Sequence, residues 1–358
     1  MNESETIAVP HLAPVHNAQA WRGHDMARRR DWIHVFSREE VKELDRAVSL
    51  ADQPTGRDIL QIQRKDFPLP RLATVLERVR REVLHGRGFY LFRGLPVERY
   101  SIRQSAIAYW GLSLYLGDEA LSQNGKGHVM GHIVNLGLDY SDPDTRGYQT
   151  SARLNYHCDY SDIVGLLSLR SSKSGGLSSI VSSTTIWNEL LQRRPDLARA
   201  LTQPLYYTRW GEIPEGKLHY DAVPMFCSYR GRVIATYVRS AINKAQALAG
   251  VPPLTAQQIE GMDLVDALAA DPQLHLEMEF KPGDIQLLCN FSTFHSRTSF
   301  EDWPELEKRR HLLRIWLACK DGPPLPQFML ERTGATATGR PDGIKVPGVP
   351  LVASLEPT

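Results

Sequence analysis

His157 and Asp159 stand one residue apart in the stretch Leu154-Asn155-Tyr156-His157-Cys158-Asp159. Side chains on an extended strand alternate between faces, so an imidazole and a carboxylate at this spacing point to one side and supply two ligands to one metal ion. His295, in Asn290-Phe291-Ser292-Thr293-Phe294-His295-Ser296-Arg297, offers a third. Two histidines and one carboxylate leave coordination positions open, as in the facial triad of non-haem Fe(II) oxygenases. The same donors suit Mn(II) and Zn(II), so ligand type alone does not select the metal. An isolated His-x-Asp arises readily by chance; what surrounds this one raises its weight. Arg310 and Arg314 follow His295, and on a strand positions 310, 312 and 314 share a face. A guanidinium turned into a metal pocket grips a carboxylate through two parallel hydrogen bonds. A dicarboxylate whose other end chelates the metal would need that grip.

The elements that must position these residues follow from hydrophobic period and turn chemistry. Ser37-Arg38-Glu39-Glu40 is a capping box that opens a helix over 39–49. An amphipathic helix is expected over 69–85, closed by Gly86, and a third over 101–116, closed by Gly117. Between them Phe89-Tyr90-Leu91-Phe92-Arg93-Gly94-Leu95-Pro96 reads as a buried strand. Short strands follow over 130–136, 153–156, 164–170 and 178–182, then helices over 184–193 and 196–201. Further strands are expected over 205–210, 225–229, 232–237 and 276–280, interrupted by a helix over 255–270 that Thr255 caps. Strands after the Lys281-Pro282-Gly283 turn and over 311–317 complete the set. Many short strands separated by turns predict a sandwich or barrel with helices on its outside, a mainly β fold. The domain reading is an N-terminal arm over 1–36, one domain over 37–333 with helical insertions, and an irregular Gly- and Pro-rich tail over 334–358.

Composition removes other classes. With 42 Lys and Arg against 41 Asp and Glu among 358 residues, the chain has no global basic field for nucleic acid or membrane. Four scattered cysteines form no CxxC pair, which argues against a zinc ribbon or a disulfide framework. No apolar run approaches the roughly 18 residues that span a bilayer. The N-terminus lacks a basic region followed by an apolar core, so a cytoplasmic location is expected. The glycine-rich loop Ser122-Gln123-Asn124-Gly125-Lys126-Gly127 lacks the pattern of a phosphate-binding loop. His128 and His132 are a helical turn apart, but Gly127 and Gly131 disfavour a helix there, and with it a second metal pair.

The chain resembles the taurine dioxygenase and dichlorophenoxyacetate dioxygenase (TauD/TfdA) family of Fe(II)- and 2-oxoglutarate-dependent oxygenases. The resemblance runs through Gly88–Leu95, His157-Cys158-Asp159, Ser174-Gly175-Gly176-Leu177-Ser178, His295 and Arg310–Leu317, and covers most of residues 80–330. Leu177 stands where the family pattern has an aspartate. The resemblance implies a double-stranded β-helix, or jelly roll, with His157, Asp159 and His295 as iron ligands. It further implies that Ser178 and Arg310 bind 2-oxoglutarate, with O₂ as second cosubstrate, and that Arg314 meets an anionic group on a small-molecule substrate. The implied reaction is hydroxylation or desaturation coupled to conversion of 2-oxoglutarate to succinate and CO₂. Asn124, from the region preceding the first ligand pair, and Tyr207, from a segment that often forms a lid along with Tyr206, Trp210 and Tyr220, are further candidates for substrate contact. The sequence is compatible with a homo-oligomer. Two alternatives remain: a zinc or manganese hydrolase using the same triad, which would not need Arg310, and a non-catalytic jelly-roll binding protein.

Overall fold

The computed structural model of the chain describes residues 12–53, 56–138, 147–213 and 216–357. Its centre is two facing sheets. The larger runs in the order Ile33–Val35, Phe89–Arg93, Ile285–Cys289, Ile163–Arg170, His311–Ala318, Glu119–Ala120, with Met130–Val134 also paired to His311–Ala318. All these pairings are antiparallel except the first. The smaller sheet runs His275–Met278, Ser178–Ser182, Thr293–Arg297, Leu154–His157, antiparallel throughout.

Strand alternation divides the core into layers. Phe89, Leu91, Val164, Leu288, Leu312 and Trp316 turn inward from the large sheet to meet Ile180, Leu276 and Met278 of the small one. Their neighbours Tyr90, Phe92, Leu167, Leu287, Leu313 and Ile315 turn outward onto helices Arg38–Ala51, Leu72–His85 and Ile102–Leu116. Behind the small sheet, Tyr156, Val181 and Phe294 pack on helices Ser183–Arg193, Pro195–Ala200 and Ala256–Ala269. The architecture is the expected jelly-roll core with flanking helices. The capping boxes at Ser37/Glu40 and Thr255/Gln258 both form and open their helices as the sequence predicts. No described helix is long and apolar enough to cross a membrane.

One expectation is corrected and one is extended. Residues 1–11 of the expected arm lie outside the described residues, but from residue 12 the segment is docked against the domain. Trp187 Nε1 donates to the Ala13 carbonyl at 3.0 Å, Trp21 Nε1 to Arg87 O at 2.8 Å, and Ile33–Val35 joins the large sheet. Buried Trp21, Met26 and Trp32 supply the apolar contacts that isolated aromatics in a polar stretch do not announce. The tail over 334–358 is irregular, with a helix at Gln327–Thr333 just before it, yet it is packed. Arg340, 7% exposed, ion-pairs with Asp162, 1% exposed, whose carboxylate also accepts from Cys319 N at 2.8 Å.

Breaking a buried ion pair from one side strands the other charge. Arg340→Ala is therefore expected to cost about 3–5 kcal/mol of stability, seen as a lower urea midpoint; an unchanged midpoint would show that the tail does not anchor the fold.

Candidate metal centre

The triad assembles across the small sheet. His295 sits on Thr293–Arg297, which pairs on one side with Leu154–His157, placing His295 directly opposite His157, and on the other with Ser178–Ser182. Asp159 lies just past the end of the His157 strand. Cys158 between them turns the other way, its backbone N–H donating to Tyr237 O at 2.9 Å and its thiol buried among the outer helices' partners. One ligand atom from each of His157, Asp159 and His295 lies within 4.8 Å of the others. His295 Nε2 is 3.9 Å from Asp159 Oδ2, and the two imidazole rings are 4.2 Å apart between centroids.

The surroundings fix donor orientation and charge. His157 Nδ1 lies 2.8 Å from Asn155 O, a contact that places the proton on Nδ1 and leaves Nε2 as the lone-pair donor. Burial, with His157 and Arg314 adding to it and Asp159 opposing, takes His295 down to about 3, so its ring is neutral and able to ligate at neutral pH. Burial works against ionisation of Asp159, but Arg314, His295, His157 and a hydrogen bond from Trp316 outweigh it and hold the carboxyl below its ordinary value. Trp316 Nε1 donates to Asp159 Oδ2 at 2.9 Å, Arg314 Nη1 approaches the same oxygen at 3.3 Å, and Asp159 N donates to Asn290 Oδ1 at 3.0 Å. Arg314 is itself aimed by Gln123, whose Oε1 accepts from Arg314 Nε at 2.6 Å. Two neutral imidazoles and an ionised carboxylate converging on one point fit a divalent cation.

The triad opens into a cavity of about 400 Å³. Leu312 and Arg314, on one face of His311–Ala318, line it together with Arg310 just before that strand. Arg310 is 5% exposed, and no described carboxylate ion-pairs with its guanidinium. Its backbone N–H donates to Asp302 Oδ1 at 2.7 Å, and its guanidinium carbon lies 5.3 Å from the centre of the Phe300 ring. Burial, aided by the neighbouring Arg297 cation and opposed by Asp302, takes Arg310 down to about 9. Gly176, at φ +71°, keeps space beside it: a Cβ there would lie 3.1 Å from Arg310 Nε. Ser178 is buried on the same cavity and donates to Gln286 Oε1 at 3.2 Å.

Two substrate candidates are not brought to the cavity. On Pro204–Thr208, Leu205 and Tyr207 face the outer core; Tyr207 is 0% exposed and its hydroxyl donates to Thr236 O at 2.9 Å. Asn124 is committed to its own loop, its Oδ1 accepting from Lys126 N at 3.0 Å and His128 N at 3.3 Å, while neighbouring Gln123 takes the cavity position. Sequence reasoning missed Arg239, Ser240, Asn243 and Lys244, which line the cavity from a helix, Arg239–Ala245, whose apolar face of Ala241, Ile242 and Ala245 spans barely one turn. It also missed Trp316 and Arg297, although their period-two spacing from Arg314 and His295 was available as a signal.

A jelly roll that holds two histidines and a carboxylate open to a cavity, beside a buried arginine, is the arrangement of a non-haem metal oxygenase. The family model "Taurine catabolism dioxygenase TauD, TfdA family" matches residues 51–316, and the chain belongs to that family. It is 28% identical to the FR-33289 synthase of Streptomyces rubellomurinus over 92% of this chain and 97% of that protein. It is 30% identical to a taurine hydroxylase-like protein of Stachybotrys chartarum over 86% and 80%. Among solved structures, asparagine oxygenase in complex with Fe(II), hydroxyasparagine and succinate superposes with a TM-score of 0.65 at 18% identity, covering 88% of this chain and 99% of that one. The non-haem iron oxygenase OrfP with Fe and alpha-ketoglutaric acid gives 0.61 at 16%, covering 87% and 100%. The chain is thus an Fe(II)- and 2-oxoglutarate-dependent dioxygenase by family, fold and donor set.

Partners that orient a metal ligand typically contribute 10–100-fold to metal affinity. Trp316→Phe removes only the N–H on Asp159, so Fe(II) affinity measured anaerobically should fall by about that factor with the thermal midpoint little changed; unaltered affinity would remove Trp316 from the centre.

Proposed function

We propose that His157, Asp159 and His295 bind the iron, that Arg310 with Ser178 receives the distal carboxylate of 2-oxoglutarate, and that the enzyme hydroxylates a small anionic molecule facing Arg314. When bound, iron and 2-oxoglutarate with O₂ supply the oxidising chemistry, releasing succinate and CO₂. The chain's residues do the rest. The inward faces of both sheets exclude water from the reacting centre, and Arg310 fixes the far end of the cosubstrate so that its 2-oxo acid end meets the metal. Arg314, steered by Gln123 and paired with Asp159, presents the remainder of its donor fork to the cavity.

The observation that carries this reading is the buried Arg310 on the same cavity as the triad. Burying a guanidinium without a counter-ion is costly, and a hydrolytic site that only activates water has no use for it. The anionic character of the substrate rests on charge. Among the described residues lining the cavity, Arg239, Lys244, Arg297, Arg310 and Arg314 are cationic and Asp159 is the one carboxylate. Asp263 and Asp266 outside the cavity pair with Arg239. The names of two relatives agree in kind: one is taurine hydroxylase-like, and one, 26% identical over 50% of this chain, acts on uridine-5'-phosphate.

Anaerobic addition of 2-oxoglutarate to the Fe(II)-loaded protein should produce the weak visible charge-transfer band of the chelate. His295→Ala should abolish it, and Arg310→Ala should weaken 2-oxoglutarate roughly 100-fold, on the basis of ~1.5–3 kcal/mol per charge-assisted hydrogen bond. No band in the wild type, or equal affinity in Arg310→Ala, would overturn the cosubstrate assignment. Succinate release dependent on O₂ would then be screened against small sulfonates, phosphates and carboxylates.

A further inference from the structure

Beyond the last strand of the jelly roll, the segment 344–354 lies along the loop and strand that carry Gln123. Ile344 N donates to Ser122 O at 2.9 Å, on one side of Gln123. On the other, Val352 forms a parallel bridge with His128: Val129 N donates to Val352 O at 3.0 Å and Val352 N to Gly127 O at 2.9 Å. Gln123 itself depends on those residues, since its backbone N–H donates to His128 O and its Nε2 to Val129 O, both at 2.9 Å. The fit is close. A Cβ on Gly127 would run into the Pro350 carbonyl, and one on Gly131, which pairs across from Arg314, would lie 2.6 Å from Gln123 Oε1. A further tie ends on the strand of Arg314. Arg170 Nη2 can only donate, so His311 Nδ1 accepts from it at 3.1 Å, His311 Nε2 donates to His132 Nδ1 at 2.8 Å, and His132 Nε2 donates to Ser354 O at 2.9 Å.

Gln123 is where this clasp meets the chemistry. Its Oε1 accepts from Arg314 Nε at 2.6 Å and its Nε2 donates to Arg314 O at 2.9 Å, and Arg314 Nη1 in turn reaches Asp159 Oδ2 at 3.3 Å. Holding a long side chain in one geometry costs rotamer entropy, and a backbone clasp on both flanks of the loop meets that cost before the metal arrives. We propose that residues 344–354 are a positioning strap for the metal centre: they hold the Gln123 loop, so that Gln123 aims Arg314 and Arg314 steadies the Asp159 carboxylate between the histidines. The inference rests on the assignment of His157, Asp159 and His295 to the metal. It makes a backbone clasp far from the ligands in the chain a determinant of iron affinity.

The test is an anaerobic Fe(II) titration of the full chain and of variants altered on the strap side alone, with the thermal midpoint of each metal-free protein recorded. Val352→Pro removes the N–H that meets Gly127; deletion of 349–358 removes the bridge and the Ser354 tie but keeps Ile344. Both should weaken Fe(II) about 10-fold, the lower end of what partners of metal ligands contribute, while 2-oxoglutarate at saturating Fe(II) binds within threefold of wild type. Val352→Ala, which keeps the backbone pair and trims a residue that is 37% exposed, should bind Fe(II) as the wild type does. Gln123→Leu should weaken Fe(II) at least as much as Val352→Pro, and combining the two should cost no more than a further twofold, because both act through one route. Fe(II) affinity within twofold of wild type in Val352→Pro, or losses that multiply in the double variant, overturn the inference. Equal weakening of Fe(II) and 2-oxoglutarate, the mark of a generally loosened fold, overturns it too. Should the deletion variant lack a cooperative thermal transition, Val352→Pro decides alone; if that variant also lacks one, the segment is a folding element and the inference fails. A wild type that binds no Fe(II) refutes the triad assignment itself; wild-type binding with undiminished affinity in the strap variants refutes only the role of the strap.

Discussion

The ionised carboxylate of Asp159, enclosed between two sheets with 9% of its side chain exposed, is the constraint on which the site depends. Desolvating a carboxylate costs several kcal/mol unless partners replace the lost water. Here Trp316 and Arg314 reach it from the large sheet, His295 from the small one, and Asn290 accepts its backbone N–H. One oxygen therefore ties the two sheets together at the mouth of the roll. The same partners that make burial of the charge tolerable also aim its lone pairs at the point where both imidazoles converge.

That arrangement follows from alternation along two strands. Leu312, Arg314 and Trp316 point inward while Leu313 and Ile315 point to the helices, so a single strand, His311–Ala318, contributes core packing, a carboxylate partner and a cavity cation at consecutive inward positions. A slip of one residue in register would exchange the two sets. The outer helices pack on one half, and on the inward half Arg314 stands between the core residues Leu312 and Trp316.

The cavity is also more cationic than a metal with three ligands requires. Arg297 lines it from the small sheet, Arg310 and Arg314 from the start and the inward face of His311–Ala318 in the large one, and Lys244 and Arg239 from a short helix.

How much of this was legible in the sequence depended on range. His157, Asp159, His295, Arg310 and Arg314 could be read because period two is a local rule: residues two apart on a strand share a face wherever the strand lies. The capped helices at Ser37 and Thr255 and most strands were readable for the same reason. Tyr207 and Asn124 were misread because strand alternation leaves open which face is the core, and a loop asparagine gives no sign that its own backbone will claim it. The helix Arg239–Ala245, the docking of Trp21 and Trp32 and the anchoring of Arg340 on Asp162 depend on partners far away in the chain, and no local pattern encodes them. The sequence by itself determined the metal donors and the class of chemistry, since those rest on residue type and short spacing. Only the tertiary structure decided that His295 stands opposite His157, that Arg297 stands opposite Ser178, and which side chains wall the cavity, because those relations exist only once distant strands have paired.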